Sequence, residues 1–195
     1  MKIAAIIPCY NEELTIKQVI CDIQKYCPKC EIYVFDNNSS DNSYNIAKET
    51  GAIVNKVSYQ GKGEVIRRAF ADIDSDIYIM VDADMQYDLS EINNFINYFT
   101  ENKLDMLNIS REVVDETVHR KGHSFGNMML TGFANFLFGK KFNDMLSGYR
   151  IFSKRFVKSF PANSRGFEIE TELTIFALQM RLPIDEVSAK YIKRP

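Results

Sequence analysis

The chain has 195 residues, of which 46% are hydrophobic and 26% charged, and its formal net charge is −2. This composition is typical of a single globular domain and excludes a disordered chain, a collagen and a long coiled coil. A net charge so close to zero also argues against a general nucleic-acid binder, so we expect no nucleic-acid partner.

Along the first 110 residues, apolar runs that favour strands alternate with stretches of helical periodicity. Asn11 is a typical helix N-cap, and Gly51 is a typical helix stop. The alternation predicts a parallel sheet with helices on both faces, an α/β fold in one domain. The predicted strands are Lys2–Ile7, Ile32–Phe35, Ala52–Asn55, Ile77–Val81 and Met106–Ser110. The predicted helices run from about Glu12 to Lys25, from Ser40 or Asp41 to Thr50, from Glu64 to Ala71 and from Leu89 to Thr100.

After residue 110 the pattern changes. Phe125–Phe138 predicts a long apolar helix, which either packs in the core, lies on a membrane surface or packs against membrane helices. A further helix is predicted over Glu168–Met180 and a last strand over Pro183–Ile192. The longest uninterrupted apolar run, Ile77–Val81, is far shorter than the roughly 20 residues of a membrane span, and Met1 leads directly into a strand. The cytoplasm is therefore the expected location.

All four cysteines lie within the first 30 residues, at positions 9, 21, 27 and 30. Cys27 and Cys30 form a single CxxC pair, which lacks the second pair or the histidines of a zinc site. It also falls where a helix should lead into a strand, whereas a redox CxxC belongs at the start of a helix. We therefore predict free, structural thiols.

Polar clusters follow three of the predicted strands: Pro8–Asn11, Asp36–Asn38 and Asp82–Asp84. Ligands of open α/β sheets bind beyond the carboxyl ends of the strands, so the three clusters predict one site. The charge is unevenly distributed along the chain, since residues 1–100 carry a net charge of −6 and residues 101–195 a net charge of +4. An acidic first half suits a metal, and a basic second half suits an anionic substrate or a membrane surface.

Asp82 and Asp84 are two residues apart, so an extended backbone would project both carboxylates to one side. Two adjacent carboxylates repel each other unless a cation lies between them, and hard oxygen ligands suit Mg²⁺ or Mn²⁺ with a diphosphate completing the shell. Gly61–Gly63 opens a predicted helix, where backbone N–H groups and Lys62 would meet a phosphate; a plain turn explains these glycines equally well.

Eight motifs then stand in a characteristic order and cover nearly the whole chain. They are Ile7–Glu13, Asp36–Asp41, Gly61–Gly63, Asp82–Gln86, Ser110-Arg111, Phe125–Asn127, Asp144–Arg150 and Gly166–Glu172. Together they resemble family 2 glycosyltransferases of the GT-A fold, and the later ones are similar to the branch that transfers sugars to polyprenyl (dolichyl-type) phosphate. The resemblance implies a Rossmann-like, mostly parallel central sheet. It also implies a single catalytic domain over 1–195, with a nucleotide-sugar and metal half at 1–110 and an acceptor half at 111–195.

The resemblance also implies roles for individual residues on the donor side. The nucleotide-sugar pocket would include Pro8, Tyr10, Glu12, Asp36, Lys62 and Asp82. The metal, Mg²⁺ or Mn²⁺, would be held by Asp82, Asp84 and Gln86. Asn37-Asn38 replaces the Asp-Gly of many members, so the donor nucleotide stays open between UDP and GDP. Tyr87-Asp88 replaces the usual His-Pro or Pro-Pro after the glutamine.

On the acceptor side, the resemblance implies a lipid-linked phosphate gathered by Arg111, Arg120, Lys121 and Arg150, with His123 as a possible helper. Asp84, Asp144 and Arg150 are the implied catalytic residues, and Glu168 and Glu170 match an acidic motif near the acceptor. Relatives usually continue beyond residue 195, so a C-terminal extension is possible. A lipid acceptor implies peripheral contact at the cytoplasmic face of a membrane.

The implied chemistry is coherent in physical terms. A metal neutralises the leaving diphosphate, and a phosphate acceptor is already ionised near neutral pH, so in-line attack inverts the anomeric carbon without a strong general base. A hydroxyl acceptor would require a carboxylate base, for which Asp144 is the candidate. A structural ion pair between Asp144 and Arg150 is the plainer alternative. A nucleotidyltransferase is a further alternative, but the loop after the first strand is acidic, which argues against it. A non-catalytic sugar-nucleotide-binding module is another alternative, and the intact aspartate pair argues against that one.

Overall fold

The computed structural model describes residues 1–113 and 142–194, together with Gly132 and Gly139. Seven described strands form one sheet. They are β1 (Ile3–Cys9), β2 (Cys30–Asp36), β3 (Ile53–Lys56), β4 (Ile77–Met80), β5 (Met106–Val113), β6 (Arg150–Ser153) and β7 (Ile184–Tyr191).

The strand order across the sheet is β3-β2-β1-β4-β6-β5-β7. Strands β1 to β4 pair in parallel, as do β5 and β7, whereas β6 is antiparallel to both of its neighbours. The parallel part places the carboxyl ends of β1, β2 and β4 on the same edge of the sheet. The antiparallel β6 begins at that edge, so the residues just before Arg150 arrive beside the end of β4.

Six described helices connect the strands. They are α1 (Ile16–Tyr26), α2 (Ser43–Glu49), α3 (Lys62–Asp72), α4 (Ile92–Glu101), α5 (Lys154–Ser159) and α6 (Ile169–Gln179). Successive residues of a strand face opposite sides of the sheet, and the buried residues accordingly divide into two clusters. Ala5 and Ile7 of β1 join the cluster of α1 and α4, whereas Ala4 and Ile6 join that of α3, α5 and α6. The α/β sheet with helices on both faces is therefore confirmed.

The predicted strands and helices of the first 110 residues all occur, with ends that differ by a few residues. Asn11 is not the N-cap of α1, because its φ is 54° and the helix begins only at Ile16 after Thr15. The strand β6 and the helix α5 were not predicted from the sequence. The apolar stretch 125–138 lies outside the described residues.

Two further sequence predictions concern the membrane and the thiols. Within the described ranges, no helix is both long enough and apolar enough to cross a bilayer. All four cysteines carry free thiols. Burial raises the pKa of Cys9 to about 12, so that thiol stays protonated and unreactive at neutral pH.

Candidate active site

Hydrogen bonds join the loops that follow β1 and β2, at the sheet edge where the parallel strands have their carboxyl ends. The backbone N–H of Asn11 donates to Ser39 Oγ at 3.0 Å, and the side-chain Oδ1 of Asn11 accepts from the N–H of Ser40 at 2.8 Å. The N–H of Glu12 donates to Ser43 Oγ at 2.7 Å. Asn11 thus joins the two loops, and its left-handed backbone turns the chain back toward β2.

Asp36, the last residue of β2, is a buried carboxylate, and one of its two oxygens accepts no hydrogen bond from the described residues. Its Oδ2 accepts from the N–H of Ser39 at 3.3 Å, whereas its Oδ1 is buried with no hydrogen-bond partner among the described residues. A buried polar atom of this kind is costly unless something binds it. Asp36 therefore has an unused acceptor oxygen at this edge of the sheet, which is shielded from solvent.

Asn37 shapes the neighbouring loop and leaves little of its side chain for a ligand. Its amide nitrogen donates to the carbonyls of Val57 at 3.2 Å and Tyr59 at 2.8 Å, and its Oδ1 accepts from the N–H of Gly61 at 2.7 Å. The asparagine that departs from the family pattern therefore fixes the approach to α3.

The glycines that flank Lys62 pack against the backbone of residues 164–166. A Cβ at Gly61 would lie 2.2 Å from the carbonyl oxygen of Arg165, and one at Gly63 would lie 2.1 Å from that of Ser164. The N–H of Gly63 donates to Gly166 O at 3.2 Å, so this helix start is occupied by protein. The predicted phosphate contact through these backbone N–H groups is wrong, and close packing explains the glycines instead.

Lys62 lies at the centre of the site, between two carboxylates. Its ammonium is 2.5 Å from Asp82 Oδ1 and 2.6 Å from Glu170 Oε1. Burial acts to lower the pKa of Lys62, but the negative charges of Asp82 and Glu170 outweigh it and raise the pKa above its ordinary value. Lys62 is therefore a permanent cation that joins α3, the end of β4 and the start of α6.

Asp84 is a half-buried carboxylate that forms no ion pair with the described residues. Burial and, next, the charge of Asp82 raise the pKa of Asp84 to about 6, against an opposing hydrogen bond from the N–H of Gln86. Burial also raises the pKa of the nearby Glu12, although Arg194 contacts it at 2.6 Å. Carboxylates held together in this way would gain from a bound cation.

Gly148 allows Asp82 to approach the chain just before β6. A Cβ at position 148 would lie 1.9 Å from Asp82 Oδ2, which is an impossible contact. The N–H of Gly148 donates to the hydroxyl of Tyr87 at 3.2 Å, and that hydroxyl also pairs with Ser147 Oγ at 2.9 Å. The sequence motif 144–150 signalled importance here, but only the fold reveals what the glycine faces.

We therefore expect Gly148→Ala to weaken Mn²⁺-dependent binding of UDP or GDP by roughly tenfold or more, because the added methyl must displace the Asp82 carboxylate. Titration of nucleotide at fixed Mn²⁺ measures the effect. Gly166→Ala is the matched control, since its Cβ would meet only the carboxylate of the exposed Glu168, which can rotate away. Equal binding by the Gly148 variant and wild type would contradict the close approach of Asp82.

Gln86 is held by the end of β7. Its side-chain oxygen accepts from the Tyr191 hydroxyl at 2.8 Å, and its side-chain nitrogen donates to Ile192 O at 3.1 Å. The N–H of Ile192 also donates to Gln86 O at 2.9 Å. The sequence did not reveal this contact between the residues after the aspartate pair and the C-terminal strand.

Arg111 of β5 and Asp144 form a bidentate ion pair at the edge of the sheet. Nε and Nη2 of Arg111 donate to the two carboxylate oxygens of Asp144 at 2.6 and 2.7 Å. Burial acts to lower the pKa of Arg111, but the hydrogen bonds and charge of Asp144 raise it overall. The alternative of a structural ion pair between Asp144 and Arg150 is therefore not supported, because both Asp144 oxygens accept hydrogen bonds from Arg111.

Arg150 does not reach the surface of the site. Its side chain is fully buried, and its guanidinium donates to Ser147 O at 3.0 Å, Met145 O at 2.5 Å and Thr174 Oγ1 at 2.8 Å. A guanidinium enclosed in this way cannot bind an acceptor phosphate. The structure thus corrects the role implied for Arg150 as an acceptor ligand and gives it the task of bracing the 145–147 turn.

The acidic motif at the start of α6 separates into different environments. Glu168 is exposed, Glu170 is buried against Lys62, and Glu172 accepts the N–H groups of Asn163 at 2.9 Å and Ser164 at 2.7 Å. The remaining residues implied on the acceptor side, Arg120, Lys121 and His123, lie outside the described residues.

Comparison with known proteins identifies the family to which the chain belongs. The model of a family described as "Glycosyl transferase family 2" matches residues 4–160. The protein RfbJ of Shigella flexneri is 48% identical over 122 residues, which cover 62% of this chain and 95% of RfbJ. A UDP-N-acetylglucosamine–dolichyl-phosphate N-acetylglucosaminyltransferase of Methanococcus voltae is 30% identical, and the match covers 96% of this chain and 84% of that enzyme.

Crystal structures of glucosyl-3-phosphoglycerate synthase from Mycobacterium tuberculosis share the fold. The complex with phosphoglyceric acid superposes with a TM-score of 0.80 at 22% sequence identity, over 100% of this chain and 73% of that one. The complex with Mn²⁺, UDP-glucose and phosphoglyceric acid gives a TM-score of 0.77. This chain also spans 62% and 48% of the length of two further relatives from Haloferax volcanii.

Proposed function

The chain belongs to glycosyl transferase family 2, and from this premise we propose that it is an inverting, metal-dependent hexosyltransferase acting on polyprenyl (dolichyl-type) phosphate. The donor is a UDP- or GDP-sugar. Family membership makes the chain a glycosyltransferase with the GT-A fold and removes the nucleotidyltransferase alternative. The observation that carries the proposal is the pair Asp82 and Asp84 just after β4, on the same sheet edge as the unpartnered oxygen of Asp36 at the end of β2.

The donor pocket in this proposal lies over the ends of β1, β2 and β4. Asp36 binds the base or ribose through its free Oδ1, and Pro8, Tyr10 and Glu12 line the same edge. Tyr10 is about half exposed, which leaves its ring accessible to a base. Lys62 contributes through Asp82 rather than by direct contact, because its ammonium is already shared by two carboxylates.

The donor set of the site fits a divalent metal. Asp82 and Asp84 supply hard oxygen ligands, and the pKa of Asp84 is raised by burial and, next, by the charge of Asp82, both of which a bound cation would offset. Within the described ranges, no three His, Cys, Asp or Glu side chains form a preformed cage, so we propose that the donor diphosphate completes the shell. Gln86 joins it only if its side chain leaves Tyr191 and Ile192. Bound Mg²⁺ or Mn²⁺ would neutralise charge on the leaving diphosphate.

The acceptor half of the proposal rests on the similarity to the Methanococcus voltae enzyme and on Arg111. The side chain of Arg111 is 28% exposed at the sheet edge, with its fork oriented by Asp144. Arginine binds phosphate oxygens in pairs, which suits a phosphate acceptor. Arg120 and Lys121 stay part of the proposed set, and Arg150 is excluded because it is buried.

A phosphate acceptor is the simpler chemistry at this site. Its oxygen is already ionised at neutral pH and attacks the anomeric carbon in line as the diphosphate departs. For a hydroxyl acceptor, Asp144 would have to take a proton, yet both of its oxygens accept hydrogen bonds from Arg111. The lipid tail of the acceptor would bring the protein into peripheral contact with a membrane, which we place at its cytoplasmic face.

The proposal is tested by incubating the protein and Mn²⁺ with UDP- and GDP-hexoses and with three acceptors: an isoprenyl phosphate, the corresponding alcohol, and no acceptor. We expect a glycosyl phosphate of inverted anomeric configuration, with no product from the alcohol. Transfer to the alcohol alone would favour the hydroxyl-acceptor alternative, and binding without transfer or donor hydrolysis would favour a non-catalytic module.

Arg111 provides a test of the acceptor side. We expect Arg111→Lys to lower use of the isoprenyl phosphate roughly tenfold, because lysine keeps the charge but loses the fork, which contributes about 1.5–3 kcal/mol per charged contact. Steady-state rates with donor and acceptor varied separately measure the effect. The donor KM should not change. A variant that loses donor affinity and keeps acceptor affinity would contradict the assignment of Arg111.

A further inference from the structure

Glu170 is the one member of the acidic motif that reaches the aspartate pair, and it does so through Lys62. Its Oε1 lies 2.6 Å from the Lys62 ammonium, which lies 2.5 Å from Asp82 Oδ1. The side chains of Lys62 and Glu170 are only 7% and 9% exposed, whereas that of Asp82 is 29% exposed. The chain of three charged groups therefore opens toward solvent only at Asp82.

The backbone fixes this arrangement from both sides. The N–H of Glu64 donates to Arg165 O at 3.3 Å, next to the bond between Gly63 and Gly166. Arg67 of the same helix donates to Ala162 O at 2.9 Å. The start of α3 and the segment that leads into α6 thus form one rigid unit, in which Glu170 and Lys62 cannot separate without breaking several hydrogen bonds.

The charges show what Glu170 does for Asp82. One cation lies between two anions, so the three groups together keep a net charge of −1, and Asp82 retains part of its negative charge. Without the carboxylate of Glu170, the Lys62 ammonium would neutralise Asp82 alone. Because interactions between charges are strong at a poorly solvated site, this difference would be felt by a cation beside Asp82 and Asp84.

We propose that Glu170 is a positioning residue for the donor site: it shares the Lys62 ammonium with Asp82, so that Asp82 stays negative enough to hold a divalent cation. This inference rests on the proposed function and assigns a role that the sequence motif left open. It also ties the metal site in the first half of the chain to a helix of the second half.

The test measures Mn²⁺ binding without turnover, by titrating Mn²⁺ into the protein with saturating UDP and, in parallel, GDP, and following free Mn²⁺ by electron paramagnetic resonance. Glu170→Gln keeps the shape and the acceptor oxygen but removes the charge. We expect it to weaken Mn²⁺ binding roughly tenfold or more. Glu172→Gln, one helical half-turn further on, is the control, because Glu172 braces the 163–164 backbone without contacting Lys62.

The double variant Lys62→Met/Glu170→Gln separates charge from structure. It removes one positive and one negative charge, so it restores the net charge of −1, and we expect Mn²⁺ affinity within about twofold of wild type. A merely structural role would lower the melting temperature of all variants without this recovery of affinity. Mn²⁺ binding by Glu170→Gln equal to that of wild type, or a double variant no better than the single one, would overturn the inference. If the wild-type protein fails to bind Mn²⁺ both in the presence of UDP and in the presence of GDP, the proposed function is wrong, and this inference falls with it.

Discussion

Replacing Asp84 with asparagine is expected to lower Mn²⁺-dependent nucleotide binding by roughly a hundredfold or more, while making the metal-free protein more stable at neutral pH. The loss of binding follows from the loss of a charged metal ligand, since a neutral amide oxygen is a much weaker ligand for a hard cation. Asp82→Asn should also abolish metal-dependent binding, because the two carboxylates act together.

The gain in stability follows from the pKa of Asp84. Burial and the charge of Asp82 raise it from its ordinary value of 3.8 to about 6. A carboxyl whose pKa is raised on folding favours the folded state while it is protonated, and this contribution is lost as the pH rises through 6. At pH 7.5 the ionised group therefore costs stability that a neutral asparagine does not. We expect a gain of about 1–2 kcal/mol after allowance for partial exposure, and little gain at pH 4.

Thermal unfolding of metal-free wild type and Asp84→Asn at pH 4 and 7.5 measures this difference, and Mn²⁺ titration with UDP or GDP measures the binding. Asp88→Asn is the matched control. Hydrogen bonds from Ser90 lower the pKa of Asp88, so the same substitution should bring no gain at pH 7.5. An Asp84→Asn protein that is less stable than wild type at pH 7.5, or that binds nucleotide with the same Mn²⁺ dependence, would contradict the assignment.

Replacing Arg150 with methionine is expected to destabilise the fold by about 3 kcal/mol or more, which is the largest stability effect that we predict. Methionine fills much of the volume but donates no hydrogen bond, so Ser147 O, Met145 O and Thr174 Oγ1 lose their donor in a buried place. An unsatisfied buried polar group costs about 1–3 kcal/mol. For a chain of this size, the melting temperature should fall by roughly 6–12 °C.

Arg68→Met is the control for Arg150, since Arg68 forms an exposed pair with Asp72 and should cost at most about 0.5 kcal/mol. Because Arg150 is buried, the variant should retain its KM for acceptor below its melting temperature. A normal melting temperature combined with a raised acceptor KM would instead support the acceptor role that the sequence motif implied.

The sequence by itself determined the alternation of strands and helices. Each buried parallel strand appears in it as a short apolar run, and each helix appears as apolar residues that recur with a period of 3.6 residues. It also placed three polar clusters on one edge of the sheet, because each cluster directly follows a strand and the carboxyl ends of parallel strands lie on the same edge. The missed strand β6 illustrates the limit of this signal. Its four residues begin with an arginine, and nothing in so short a run distinguishes a central antiparallel strand from a loop.

Only the tertiary structure decided which charges meet. Asp144 and Arg150 are six residues apart and look like a pair, yet Arg111, thirty-three residues away, takes both oxygens of Asp144. Lys62 and Glu170 lie 108 residues apart and are joined at 2.6 Å, and Gly148 is required only because Asp82 packs against it. Charge pairing depends on distance and burial in space, and the order of residues along the chain does not encode either one directly.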